Sequence, residues 1–211
     1  MHIDHVVYAA GPAGLDEEAA RFEDLLGVKS VDGGLHPRFG TRLRLIPMAD
    51  ARHIELVEVL DHPVADKAPY GQAVRARSEL GGGWLGWAIS VDDLSELEQR
   101  LSRRSAIGTR HFPDGRLLEW RQLGIKGLMA DPQLPYFIRW LSEPSVLPSA
   151  LPAEVTLVEL DIAGSRARVE QWLGRSVDEV SETVSLRFES PSGYPGLTAV
   201  TLDAPKGRIR I

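Results

Sequence analysis

Residues 84–101 read WLGWAISVDDLSELEQRL. The first half is a short apolar run rich in tryptophan and β-formers, bounded by Gly81-Gly82-Gly83, and it reads as a buried strand. The second half opens with an aspartate N-cap and puts Leu94, Leu97 and Leu101 on one face, which predicts a helix. Downstream, "RLLEWRQLG" after an Asp114-Gly115 turn reads as a strand, and so does "PYFIRWL".

The same order stands about 80 residues earlier. Ile3 to Ala9 reads as a buried strand that Gly11-Pro12 breaks. Leu15, Ala19, Phe22, Leu25 and Leu26 then recur at helical spacing, and Gly27 sits where a C-cap glycine belongs. A short strand around Ser30 to Asp32 follows. Arg38 to Pro47 reads as a strand with Leu43 and Leu45 on one side and Arg42 and Arg44 on the other. His53 to Leu60 is the last strand. Both copies give β-α-β-β-β. A shorter third copy covers 153–211, after the three-proline link "SEPSVLPSALP". The expected organisation is an α+β fold: module one at 1–60, a polar linker at 61–83, module two at 84–142, and a C-terminal βαβββ-like half-module or extension at 153–211 in the same globular body.

Composition bounds the function. The chain has 211 residues, 24 Lys and Arg against 30 Asp and Glu, and a net charge of -6. No concentrated basic surface is evident, so no nucleic-acid partner is expected. No run approaches the roughly 18 apolar residues of a membrane span, and the N-terminus lacks a signal-peptide pattern. The absence of cysteine removes thiolate chemistry and fits a reducing cytoplasm.

Taken in order, "IDHVVYA", "GGLHPRFGTRLRLIPM", "HIELVEV", "WLGWAISVDDLSELEQRL" and "PYFIRWL" resemble a glyoxalase-like domain of the vicinal oxygen chelate superfamily, of the glyoxalase-3 type, over roughly residues 3–142. The resemblance implies paired βαβββ modules of the glyoxalase/bleomycin-resistance/dioxygenase type, curled around a cavity. It implies a small-molecule substrate or ligand and lyase, isomerase or dioxygenase chemistry. It also implies a divalent metal, with a histidine or glutamate from the first and last strand of each module as ligands. His5 and Glu55 match those positions in module one. In module two they fall at about Gly86 and Arg139, neither of which supplies a ligand.

His5 and Glu55 suit zinc, iron, manganese or nickel, and His36 completes a facial set if its loop folds over the cavity mouth. The same residues could move protons without a metal. The plainer alternative makes His5 a core histidine and pairs Glu55 with Arg44 or Arg139. Period two leaves Glu55 and Glu58 on opposite faces, and the resemblance favours Glu55 as inward. Arg139 could hold an acidic substrate, partner Glu55 or face solvent. Arg44 and Trp87 are the other substrate-binding candidates, although packing is the commoner use of a tryptophan. His53 and His62 read as surface residues; His111, at the head of a module-two strand, could reach the cavity, although a strand-end histidine is more often at the surface. Exposed strand edges in the module pairs would suit a homodimer. Two functions stand open: a glyoxalase-like enzyme using His5, Glu55 and His36, or a non-catalytic protein that binds or sequesters a small molecule in a cavity with a degenerate metal site.

Overall fold

The computed structural model describes residues 1–112, 115–181, 183–190 and 193–211. The first repeat is β1 (His2–Ala9), α1 (Leu15–Leu26), β2 (Val31–His36), β3 (Thr41–Met48) and β4 (Arg52–Val59). Then comes α2 (Pro69–Glu79). The second repeat is β5 (Gly83–Ser90), α3 (Ser95–Leu101), β6 (Ala106–His111), β7 (Leu117–Leu123), α4 (Gly127–Ala130) and β8 (Tyr136–Trp140). Each module wires its strands alike, β1-β4-β3-β2 and β5-β8-β7-β6, with first and last strands parallel. β1 runs antiparallel to β5, and β2 meets β6, so the eight strands close into a barrel.

The two seams between the modules differ. Among the described residues, seven residue pairs join β1 to β5, whereas β2 and β6 share the single pair Leu35 and His111. An eight-stranded barrel has an interior that side chains nearly fill. Period two sends Leu43 and Leu45 inward from β3 and leaves Arg42 and Arg44 outside. On the outer face α1 buries Leu15, Ala19, Phe22 and Leu26, and the chain leaves the helix at Gly27 with φ 78°, a left-handed turn that glycine adopts without strain.

The C-terminal unit is β9 (Thr156–Ala163), α5 (Arg166–Leu173), β10 (Ser185–Glu189), β11 (Gly196–Ala204) and β12 (Gly207–Arg210), ordered β10-β9-β11-β12 in a separate sheet. It repeats the element order of a module but not its wiring. β9 pairs in parallel with β10, the strand just after the helix, whereas β1 pairs in parallel with the last strand of its module. The sheet packs on the barrel's outside: Leu160, Ile162, Val200 and Leu202 share a buried cluster with Ile3, Val6, Trp87 and Ile89. Trp172 stacks on Phe137 at 6.0 Å and donates to the Pro135 carbonyl at 2.7 Å.

Three sequence expectations change here. Residues 61–83 are more than a linker, because α2 lies within them. Pro69 starts it, and only the narrow face of Tyr70, Gly71, Ala73 and Val74 is buried, so the segment looks polar as a sequence. β6 carries no apolar run to announce it. The ring of Trp120 lies on its backbone where Gly108 leaves room: a Cβ there would sit 2.2 Å from that ring. Closure of the barrel removes the exposed module edges on which a homodimer was argued, and among the described residues the open edges belong to β10 and β12. Asp114, half of the expected turn, lies outside the described residues. Among the described residues no helix is long and apolar enough to cross a membrane.

Candidate functional site

Alternation along the strands delivers a polar constellation to the barrel interior. His5 comes from β1, His53 and Glu55 from β4, His36 from the end of β2, Arg110 from β6 and Tyr136 from β8, and all line one cavity. Trp120 and Trp140 form an aromatic wall, with ring centroids 5.8 Å apart. Tyr70 enters from α2, and Pro148 enters from the proline-rich link. The void left among these side chains is about 20 Å³, room for one water molecule.

Asp4 and His5 are sequence neighbours, yet both are buried and they bond to each other, Asp4 Oδ1 to His5 Nδ1 at 2.5 Å. A bulge makes this geometry. The register against β5 moves from Ile3 opposite Ile89 to His5 opposite Ala88, which leaves Asp4 as an extra residue. Bulges re-aim side chains in this way beside functional sites. Trp140 Nε1 donates to Asp4 Oδ2 at 2.9 Å, and His5 Nε2 is bonded to the Tyr136 hydroxyl. Burial would raise the Asp4 carboxyl, but its bonds from His5 and Trp140 hold it below the usual range. Burial and the nearby Glu55 push the Tyr136 phenol well above its ordinary value, so it is a donor. The network therefore assigns Tyr136 O–H to His5 Nε2 and His5 Nδ1–H to Asp4.

A second pair stands in the same cavity. The Tyr70 hydroxyl donates to Glu55 Oε1, and burial with the adjacent Glu55 keeps that phenol protonated too. Burial lowers His36 to about 4, partly opposed by Glu55, and lowers His53 to about 3, aided by His5. Both are neutral imidazoles near pH 7. His53 stacks on His5 with ring centroids 4.6 Å apart, and Thr41 Oγ1 lies 3.4 Å from His36 Nδ1. Burial lowers Arg110 to about 10, offset in part by Glu55 and Asp32, so it stays a cation.

The structure thus brings His5, Glu55 and His36 to one cavity and moves three other candidates out of it. Arg44 points outward from β3, donating to Ser30 Oγ at 2.7 Å. Arg139 lies between inward Ile138 and Trp140, so alternation turns it out, to within 3.7 Å of Asp93 with its side chain 42% exposed. Trp87 is fully buried on the outer side of β5 and donates to the Gln133 carbonyl. His53 is 3% exposed, not a surface residue, because it is two residues from Glu55 on the same face. That signal was available in the sequence. Asp4, Tyr70, Arg110 and Tyr136 were not singled out, and nothing local marks them.

Comparison with known proteins fits this geometry. The sequence profile of the glyoxalase-like domain matches residues 3–177. The chain belongs to the glyoxalase-like domain family. The match runs beyond module two through β9 and α5 of this glyoxalase-like chain. No curated protein matches it. Among solved structures, a hypothetical protein from Staphylococcus aureus aligns over 100% of this chain and 85% of its own, with 15% identity and a TM-score of 0.63. Streptomyces coelicolor methylmalonyl-CoA epimerase, as a variant in complex with 2-nitronate-propionyl-CoA, covers 68% of this chain and 96% of its own, with 15% identity and a TM-score of 0.44. A hypothetical protein from Bacillus halodurans covers 67% and 94%, with 16% identity and a TM-score of 0.43.

The metal that the superfamily implies can be tested against these donors. Among the described residues, the group with ligand atoms within 4.8 Å of one another is Asp4, His5 and His53. The expected trio of His5, Glu55 and His36 does not converge in that way. Within the group, Asp4 and His5 are bonded to each other, and Tyr136 occupies the other nitrogen of His5. Arg110 places a fixed positive charge in the same cavity. Module two offers no ligand. Its register sets Ala88 opposite Tyr136 as module one sets His5 opposite His53, so the positions that match His5 and Glu55 are Ala88 and Ile138 and not the expected Gly86 and Arg139. This donor set, as arranged, does not fit a resident dication.

Proposed function

We propose that this glyoxalase-like protein transfers a proton on a small oxygenated molecule, with Glu55 as base and the Asp4–His5–Tyr136 chain as acid. What supports the reading is two carboxylate-backed groups facing one cavity, each held by hydrogen bonds that fix its orientation. Separate acid and base groups in one dry site are what such chemistry needs. Glu55 takes a proton from a carbon next to a carbonyl. The Tyr136 O–H, given to His5 Nε2 in the free protein, turns to the carbonyl oxygen and stabilises the enolate as the C–H electron pair moves into it, while the Asp4–His5 pair holds the phenol ring in place. Return of the proton to the carbon completes an isomerisation or epimerisation with no net gain or loss of atoms.

A second reading, a non-catalytic binding protein, is favoured by the missing metal ligands of module two, where Ala88 and Ile138 stand at the positions of His5 and Glu55. At about 20 Å³ the void admits a ligand only after side chains such as Tyr70 move.

The test is solvent exchange. Small 2-oxo and 2-hydroxy carbonyl compounds are incubated with the protein in D2O and followed by proton NMR. Wild type is expected to wash out the carbon-bound proton, and His5→Asn and Glu55→Gln each to slow this at least about 100-fold. Equal exchange in wild type and both variants refutes proton transfer. Compounds that perturb Trp120 and Trp140 fluorescence without exchanging establish the binding reading instead.

A further inference from the structure

Arg110 has no role in the proton-transfer scheme, and its surroundings are unusual. The residue is 3% exposed, yet its Nε has no hydrogen-bond partner, and among the described residues no carboxylate lies within ion-pair distance of it. Its guanidinium rests on the Phe112 ring, 4.6 Å from the centroid. Guanidinium carries five N–H donors, and buried donors are nearly always bonded. The two acids that act on it electrostatically are both engaged elsewhere: Glu55 accepts from Tyr70, and Asp32 accepts from the Gly34 N–H at 2.8 Å. The cavity therefore holds a buried cation with an unmet Nε donor and no paired carboxylate among the described residues.

Its position adds a second argument. Arg110 immediately precedes His111, whose pairing with Leu35 is, among the described residues, the one residue pair closing the β2–β6 seam. Gly34 crosses there with φ 80°, and a Cβ on it would lie 3.0 Å from the His111 carbonyl and 3.7 Å from Arg110 Cγ. The barrel is thus least strongly joined beside the unpaired guanidinium. The opposite seam has seven pairs and the C-terminal sheet packed behind it.

We propose that Arg110 is an oxyanion receptor, and that the ligand of this cavity is a small carboxylate admitted at the β2–β6 seam and held by the guanidinium fork. A carboxylate matches that fork with two parallel bonds, which a neutral amide or ester does not. The neutral His36 and His53 leave Arg110 as the charged donor on that side of the cavity. The proposal rests on this cavity being the ligand site, and it names the class of molecule on which Glu55 and His5 would act.

The probe is formate, the smallest carboxylate, with formamide as its neutral counterpart and sodium chloride at equal ionic strength as control. Uniformly 15N-labelled wild type is titrated while the arginine Nε–Hε resonances are followed, with Arg110 assigned by its disappearance in Arg110→Gln. The expected result is a saturable shift of the Arg110 signal with formate, half-complete below about 50 mM, and none with formamide or chloride. Tryptophan fluorescence should report the same curve in wild type, a several-fold weaker one in Arg110→Lys and none in Arg110→Gln. An Arg110 resonance that does not move, or that moves equally with formamide, overturns the proposal. If Arg110→Gln fails to fold, loss of the same resonance in Arg110→Lys makes the assignment and the wild-type titration stands. Formate saturation without solvent exchange would leave Arg110 in place and reject the proton-transfer reading. Exchange without a formate response would do the reverse.

Discussion

Acidification from about pH 7.5 to about pH 5 should remove about 4 kcal/mol of stability through two histidines. Burial holds His36 at about 4 and His53 at about 3, against 6.5 for the same side chains in the unfolded chain. Because the folded values are lowered, the unfolded chain takes up protons first as pH falls. Their contribution is intact above about 6.5 and is lost as pH falls from there toward about 4 and about 3. At pH 5 the unfolded histidines lie about 1.5 units below their midpoint, which is about 2 kcal/mol for each. A small domain has only about 5–15 kcal/mol in total. Acids do not blur this window. Glu23, held at about 2 by its bonds to Lys29 and Ser30, and Asp4, held below the usual range, lose their contributions only under about pH 4.5. His2 is shifted in the same direction but is exposed, so solvent screens it. The assay is urea unfolding followed by tryptophan fluorescence in half-unit steps of pH. The slope should approach two protons, and a His36→Gln, His53→Gln double variant should flatten it. Stability at pH 5 within about 1 kcal/mol of that at pH 7.5, or a slope that survives in the double variant, refutes the reasoning.

Metal retention tests the donor argument. Wild type loaded with zinc and desalted should keep less than about a tenth of an equivalent by elemental analysis, whereas Tyr136→Phe, which frees His5 Nε2 beside His53, should keep more; a full equivalent in wild type would sink the argument. Gly71→Ala should lower Tm by about 4–8 °C, the equivalent of about 2 kcal/mol of overpacking, because the new Cβ would sit 2.4 Å from the Phe39 carbonyl and 2.7 Å from that of Ala65. An unchanged Tm would mean that α2 shifts freely over the barrel end.

The repeat was legible because strands and amphipathic helices carry their own periodicities. α1 has the predicted bounds, Leu15 to Leu26, and β5, β7 and β8 lie where apolar runs stand. α2 and β6 were not legible, since each buries few apolar side chains and is held by what packs on it, Tyr70 on Glu55 and Trp120 over Gly108. The site divides in the same way. His5 and Glu55 sit at recognisable positions on strands, and the inward face of Glu55 implied that of His53. Asp4 faces inward only because a bulge interrupts the pairing with β5, and pairing between strands 80 residues apart leaves no local mark. Arg44, Arg139 and Trp87 mislead for the converse reason: their chemistry suits a site, and alternation turns them away from it.

The Asp4–His5 bond shows how a metal-ligand position would suit the proposed proton chemistry. A carboxylate on one imidazole nitrogen is what a metal-ligating histidine also has, since it fixes the tautomer and aims the other nitrogen into the site. Here that nitrogen meets the Tyr136 phenol. By register Tyr136 corresponds to His53, and Ile138 stands where Glu55 does, so module two contributes to this histidine a phenol, held protonated by burial and Glu55, and not a metal ligand. Glu55 is turned to the same purpose by Tyr70. In the proposed reading, the phenol on β8 and the helix over the barrel end give the first-strand histidine and last-strand glutamate the roles of acid and base. The buried positive charge in the cavity then comes from Arg110 instead of a dication.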